Sequence, residues 1–286
     1  FWQESSELAA RQRAQQNKKA EEKKKELEEF IARFSANVAK SKQATSRKKM
    51  IERLNIHDIK PSSRRYPAII FERDREAGDQ ILNVENLSFS LENEMLFSKI
   101  DLNLAKGDKV LLFSKDSRAI KYFYEIISNN INQTTGNFSW GITTSFSYLP
   151  IDNSNYFDHN ISLVEWLRNW AKTDEEKEEV FLRGFLGKMI FSGDEALKKC
   201  NVLSGGEKVR CMISKMMMNR GNVLLINEPT NHLDLETITA FNNSLKRFKG
   251  TVIFSTQDQQ FAQTIANRII EPVSYTHLTL PTIFRV

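Results

Sequence analysis

Apolar residues recur on two different periods along this chain. Residues 1–34 contain neither Pro nor Gly, and Leu27, Phe30, Ile31, Phe34 and Val38 follow one another at spacings of 3, 1, 3 and 4. That spacing draws one apolar stripe on a helix, so a long helix is predicted over 1–34. Residues 35–45 are mostly small and polar, as a tip loop would be. A second helix is predicted over about 45–54, with Met50, Ile51 and Leu54 placed to pack back on the first stripe as an αα-hairpin. Pro61 and Pro67 bracket a segment that reads as a hinge or a crossing strand.

Beyond residue 67 the pattern changes to short apolar runs. Residues 68–72, 81–89, 99–104, 110–113, 143–149, 223–227 and 251–255 read as strands, with a turn at Gly107 and Asp108. Residues 121–127, 206–219 and 235–248 read as helices. Residues 160–199 read as helical, anchored by Leu163, Trp166, Leu167, Phe181, Phe185 and Leu186. Strands alternating with helices predict an α/β fold with a parallel sheet. The helical block between strand and strand predicts a second lobe.

Within that frame, one stretch concentrates candidate chemistry. Val223, Leu224, Leu225 and Ile226 run into Asn227 and Glu228. This reads as a buried parallel strand that ends at a polar site, with Glu228 at the carboxyl end where open α/β sheets place their ligands. Upstream, Ser204, Gly205 and Gly206 form a small-residue turn just before a helical pattern. Its backbone N–H groups can face an anion at the helix N-terminus. Taken singly, these are a glycine turn and an ordinary core strand. Together they resemble the signature loop (Leu203 to Arg210), Walker B strand and D-loop (ending at Asp234) of ATP-binding cassettes.

Charge changes the picture at the N-terminal end. The chain has 286 residues, enough for one or two domains, and a net charge of +5. Residues 11–65 hold 17 Lys or Arg against 7 Asp or Glu. Over 18–29 the signs are mixed, with Lys24/Glu28 and Lys25/Glu29 at i,i+4, which reads as a solvated helix face. Farther on, Arg33, Lys40, Lys42, Arg47, Lys48, Lys49 and Arg53 are interrupted only by Glu52, a distribution suited to a nucleic-acid backbone. The two cysteines, Cys200 and Cys211, have no metal or redox spacing and read as reduced thiols of a cytoplasmic protein. No run of 18 apolar residues is present to span a membrane. The start at Phe1, without a signal-peptide pattern, reads as a beginning inside a longer protein.

A basic hairpin followed by a cassette resembles the second half of an ABC-F protein, in the branch of YbiT type. Arg33-Phe34-Ser35-Ala36-Asn37, Ser41-Lys42-Gln43-Ala44-Thr45-Ser46-Arg47 and Phe191-Ser192-Gly193-Asp194 add to the match, which covers about residues 1–271. The resemblance implies an ABC-type nucleotide-binding domain, with a RecA-like parallel sheet core and a helical lobe, preceded by a basic α-helical hairpin. The implied boundaries are 1–66 for the linker hairpin and 67–271 for the second cassette, with its lobe at about 152–202. Residues 272–286 have no counterpart in the family and resemble non-native sequence, although 275–280 alternate as a strand would. The family binds the ribosome near the tRNA exit site. The implied partners are therefore ribosomal RNA, tRNA and a first cassette of the same chain, in the cytoplasm and with no membrane. Lys40, Lys42, Arg47, Lys48 and Lys49 are the candidate RNA-binding residues. ATP and Mg²⁺ are the implied cofactors, with Glu228 as general base. Ser204, Gly205, Gly206 and Glu207 would cap an ATP held by the first cassette, and Asp234 would belong to the D-loop.

The phosphate loop departs from that family. Its glycines normally let backbone N–H groups wrap phosphates, while Lys pairs with the β/γ-phosphates and Ser/Thr holds Mg²⁺. Here Ser114 and Ala119 replace both glycines, Ile120 stands at the lysine position and Lys121 at the Mg²⁺-ligand position. Asn227 replaces the Walker B aspartate and Gln257 the switch histidine. The segment Tyr148 to Asp152 lacks the expected glutamine. Phe89 is either an adenine-stacking aromatic or an alternating strand position. Mg-ATP binding in this half is therefore expected to be weak or absent. Three other readings compete: a DNA-handling ABC ATPase, a transporter ATP-binding subunit, and a non-catalytic ribosome-binding module. The first would carry its coiled coil inside the cassette rather than before it. The second would not be expected to carry a basic N-terminal hairpin.

Overall fold

The computed structural model describes residues 65–271 and, toward the N-terminus, residues 15, 18, 22–29, 31–32 and 50–51. The chain divides into two compact units, Phe1–Arg64 and Arg65–Val286. In the first unit the described residues are helical. Lys24 and Glu28 lie 3.9 Å apart at i,i+4, and Lys23 and Glu26 3.8 Å apart. All four side chains are exposed, so these pairs contribute little. The remainder of the expected hairpin lies outside the described residues, including Lys40, Lys42, Arg47, Lys48 and Lys49. So does the 272–286 tail.

The second unit begins with an extended segment rather than the strand expected at 68–72. Its backbone is bonded to helices: the Ala68 N–H donates to the Lys188 carbonyl at 2.7 Å, and the Phe71 N–H to Ser244 Oγ at 3.4 Å. Ile69 and Phe71 are nonetheless buried, with Phe71 set edge-on to Phe241 and Phe248. The apolar pattern reports burial here and not sheet pairing.

In chain order the elements are β1 (Gln80–Leu91), β2 (Glu94–Ala105), β3 (Lys109–Leu112), α1 (Ser117–Ile127), β4 (Thr135–Trp140) and β5 (Phe146–Leu149). A helical block follows, with α2 (Leu163–Arg168), α3 (Asp174–Lys177), α4 (Glu179–Lys188) and 3₁₀ turns at Gly193–Leu197 and Cys200–Val202. Then come α5 (Gly205–Asn219), β6 (Val223–Asn227), α6 (Leu235–Arg247), β7 (Thr251–Ser255), α7 (Gln259–Ile265) and β8 (Arg268–Ile270). The block expected to be helical over 160–199 is thus several short helices, some of them restarted by their own caps. Ser162 and Glu165 form a capping box on α2, and the Thr173 side chain caps α3.

Two sheets result. An antiparallel sheet runs β2-β1-β4, and a parallel sheet runs β5-β6-β7-β3-β8. Alternation along the parallel strands divides the core. Val110, Leu112, Val223, Leu225 and Ile253 pack with the antiparallel sheet and α1. Leu111, Leu224, Ile226, Val252 and Phe254 share the other core with the helical block and α5 to α7. Burial on both faces explains why β6 and β7 read as continuous apolar runs.

An aromatic cluster ties the helical block to α5. Phe157 stacks on Trp166 at 4.8 Å, and the Lys215 ammonium of α5 sits 4.0 Å from the Tyr156 ring and 3.9 Å from Trp170. Burial pushes Lys215 down to about 8, while the two ring faces favour its charged form.

Candidate nucleotide site

The loop from β3 into α1 lies where a phosphate loop would be. One stripe of α1, made of Ala119, Ile120, Phe123, Tyr124, Ile126 and Ile127, faces the core, so Ala119 and Ile120 are buried, at 1% and 7% exposure. A side chain at 120 points into apolar packing, and the isoleucine fills it. Lys121, one residue on, is exposed, with its ammonium 5.8 Å from the Tyr122 ring. A step of one residue rotates a side chain by about 100° about the helix, so Lys121 does not stand in for a lysine at 120.

The N-terminus of α1 is closed by the protein itself. Asp116 is its N-cap and accepts the Arg118 N–H at 2.9 Å. Ser114 Oγ accepts the Asp116 N–H at 3.2 Å. The Arg118 guanidinium is held by both oxygens of Glu94, each at 2.8 Å, and by Asp116 at 2.8 Å. Its hydrogen bonds hold the Asp116 and Glu94 carboxyls below their ordinary values.

At the end of β6, Asn227 is 3% exposed, and its Oδ1 accepts from Ser255 Oγ at 2.8 Å. Its buried Nδ2 makes no hydrogen bond among the described residues. An aspartate here would offer Mg²⁺ a charged oxygen, whereas this amide aims a donor inward. Glu228 follows with φ of 49°, a left-handed conformation uncommon for a non-glycine residue. Its N–H donates to the Ser255 carbonyl at 3.1 Å, and its carboxylate accepts the Gln257 N–H at 3.2 Å. Burial raises the Glu228 carboxyl, and the Gln257 N–H opposes that rise. Gln257 thus meets Glu228 through its backbone, and its side chain is exposed.

Ser204 is the N-cap of α5 in a reciprocal box with Glu207: the Ser204 N–H donates to Glu207 at 2.9 Å and the Glu207 N–H to Ser204 Oγ at 3.4 Å. Burial alone would raise Glu207. Hydrogen bonds from Lys198 (2.8 Å) and Ser204 outweigh it and pull the carboxyl down to about 2. Ser204 and Gly205 remain exposed. The residues after Glu228 return across this turn, so that Glu228, Asn231 and His232 line one cleft with Val209 and Pro150. Asp234 caps α6 by accepting the Thr237 N–H at 2.7 Å. Phe89 is buried and stacked on Tyr122 with centroids 5.0 Å apart.

The structure therefore brings Asn227, Glu228 and Gln257 together, and sets the turn of Ser204, Gly205, Gly206 and Glu207 beside the loop after Glu228. The donor set does not fit Mg²⁺ in this chain's own loop: Asn227 is neutral and Ile120 is buried. Among the described residues no group of three His, Cys, Asp or Glu could hold a metal ion. Two functional features were not read from the sequence. The cap by Asp116 had a signal, an Asp directly before a helical pattern. The reach of Glu94 to Arg118, across 24 residues, had none.

Known proteins resemble this chain in sequence and in fold. A family model described as ABC transporter matches residues 1–71. YkpA of Bacillus subtilis (strain 168), an uncharacterized ABC transporter ATP-binding protein, is 52% identical over 272 residues, covering 95% of this chain and 50% of the relative. ABC transporter F family member 5 of Arabidopsis thaliana is 29% identical over 266 residues, covering 90% of this chain and 37% of the relative. The chain spans about half the length, or less, of these curated relatives. The ATP-binding cassette MJ0796, solved as a dimer in a post-hydrolysis state with ADP and Pi, superposes with a TM-score of 0.58 at 18% identity, covering 72% of this chain and 97% of that one. At that identity the likeness concerns the fold, and the fold is that of an ABC ATPase cassette. No helix among the described residues is long and apolar enough to cross a membrane. With relatives of this kind and a cassette of this form, the chain belongs to the ABC-F family of ATP-binding proteins.

Proposed function

We propose that this chain is the C-terminal half of an ABC-F translation factor whose cassette caps an ATP held by a first cassette and scarcely uses its own. In this reading residues 1–66 are the linker hairpin, 67–271 the second cassette and about 152–202 its helical lobe. Ser204, Gly205, Gly206 and Glu207 face the other cassette's nucleotide. The hairpin carries the protein to the ribosome near the tRNA exit site, where Lys40, Lys42, Arg47, Lys48 and Lys49 contact ribosomal RNA or tRNA, in the cytoplasm.

The observation that carries the reading is the burial of Ile120. Ile120 is uncharged and packed in apolar core, so position 120 offers no cation to a β- or γ-phosphate, while the α5 N-terminus stays exposed. Hydrogen bonds to charged groups contribute about 1.5–3 kcal/mol each. Losing the lysine and the Mg²⁺ ligand together therefore weakens Mg-ATP binding by orders of magnitude. Steady-state hydrolysis by the purified chain tests this against a Glu228→Gln control. The two should be equally inactive, and robust turnover that vanishes in the control would refute the reading.

A further inference from the structure

We propose that the Asp116 carboxylate, clasped by Arg118 and Glu94, is this cassette's own occupant of the phosphate position and excludes nucleotide phosphate from the loop between β3 and α1. The inference rests on the reading above that this half scarcely uses its own site, and adds the device that keeps it closed.

The N-terminus of an 11-residue helix is a place where backbone N–H groups and the helix dipole favour an anion. In α1 that anion is internal: Asp116 accepts the Arg118 N–H at 2.9 Å, and Ser114 Oγ takes the Asp116 N–H at 3.2 Å. A second observation fixes the carboxylate there. The Arg118 guanidinium is a cation at the mouth of the loop, yet three bonds of 2.8 Å commit it to Glu94 and Asp116. An arriving phosphate meets two carboxylates and no free fork. These side chains are 38–59% exposed, so the clasp adds little to stability. Its effect is one of occupancy, and it can be altered without unfolding the chain.

Inorganic pyrophosphate, without metal, is the probe, and titration calorimetry on the 286-residue chain the measurement. Asp116→Asn keeps a capping side chain and removes the charge; Asp116→Glu keeps the charge. Binding to the basic N-terminal residues is common to all three chains and cancels in the comparison. The wild type and Asp116→Glu should show only that background. Asp116→Asn should bind tighter, by on the order of tenfold. If neither variant differs from a silent wild type, or if both bind, the carboxylate is not the excluding group and the proposal is overturned. If the wild type itself binds pyrophosphate tightly at the α1 loop, the reading of a little-used site fails, and the proposal with it.

Discussion

A Cβ built on Gly206 would lie 2.5 Å from the carbonyl oxygen of His232, so the turn that opens α5 and the loop after Glu228 touch backbone to backbone. The neighbouring Gly205 is looser: its nearest neighbour would be the His232 ring at 3.4 Å. The two glycines of one turn therefore have different duties. The first keeps the outer face small, and the second lets the two loops close on each other.

That difference predicts unequal effects of alanine. Gly206→Ala forces a backbone carbonyl to move, which costs about 1–3 kcal/mol. For a chain of this size the melting temperature should fall by roughly 2–4 °C per kcal/mol. Gly205→Ala meets only ordinary contact and gains helix propensity, so its melting temperature should hold or rise slightly. Thermal unfolding of the two variants checks the contact, and equal destabilisation would mean that the loops do not meet.

Glu228 should make stability fall as pH rises. Burial raises its carboxyl in the folded chain, so the folded state holds the proton more tightly than the unfolded one. Stability is lost as pH climbs from the ordinary carboxylate range past the raised value. Glu228→Gln removes the charge and keeps an oxygen for the Gln257 N–H. It should equal or exceed the wild type at pH 7, by less than about 1 kcal/mol because the group is only partly buried, and the gap should close toward pH 4. Urea unfolding at both pH values measures it. A variant weakened more at pH 7 than at pH 4 would contradict the burial argument.

Replacing Lys42, Arg47, Lys48 and Lys49 by Ala should reduce co-sedimentation with ribosomes. If all four neutralise phosphates, the slope of log affinity against log salt should become shallower by about 3. An unchanged slope would assign these charges to solubility alone.

Much of this architecture was legible, for definite reasons. β6 and β7 are buried on both faces, so their apolar runs stood out, and 251–255 forms the strand predicted for it. β4 was missed because Thr135 to Trp140 alternates weakly around Gly136 and shows only one face to the core. Residues 68–72 misled in the opposite direction: Ile69 and Phe71 are buried, but their segment lies along helices rather than a sheet. In the site, the replacements at Ile120 and Asn227 were visible as letters. Their consequences were not, because burial of Ile120 and the pairing of Asn227 with Ser255 depend on α1 and β7 being brought to β6. The clasp of Arg118 by Glu94 is a tertiary contact with no local signal at all.

The two composite sites are proposed to be unequal, and ATP turnover by the full-length protein tests that asymmetry most directly. Ser204→Arg puts bulk and charge at the exposed N-cap of α5, the turn proposed to cover the first cassette's nucleotide. Glu228→Gln removes the one candidate catalytic carboxylate of this half. Ser204→Arg should abolish turnover while Glu228→Gln should change it by less than about twofold, within about 0.4 kcal/mol of barrier. Equal damage from both substitutions would mean that the site beside Ile120 is working, and would contradict the proposed asymmetry.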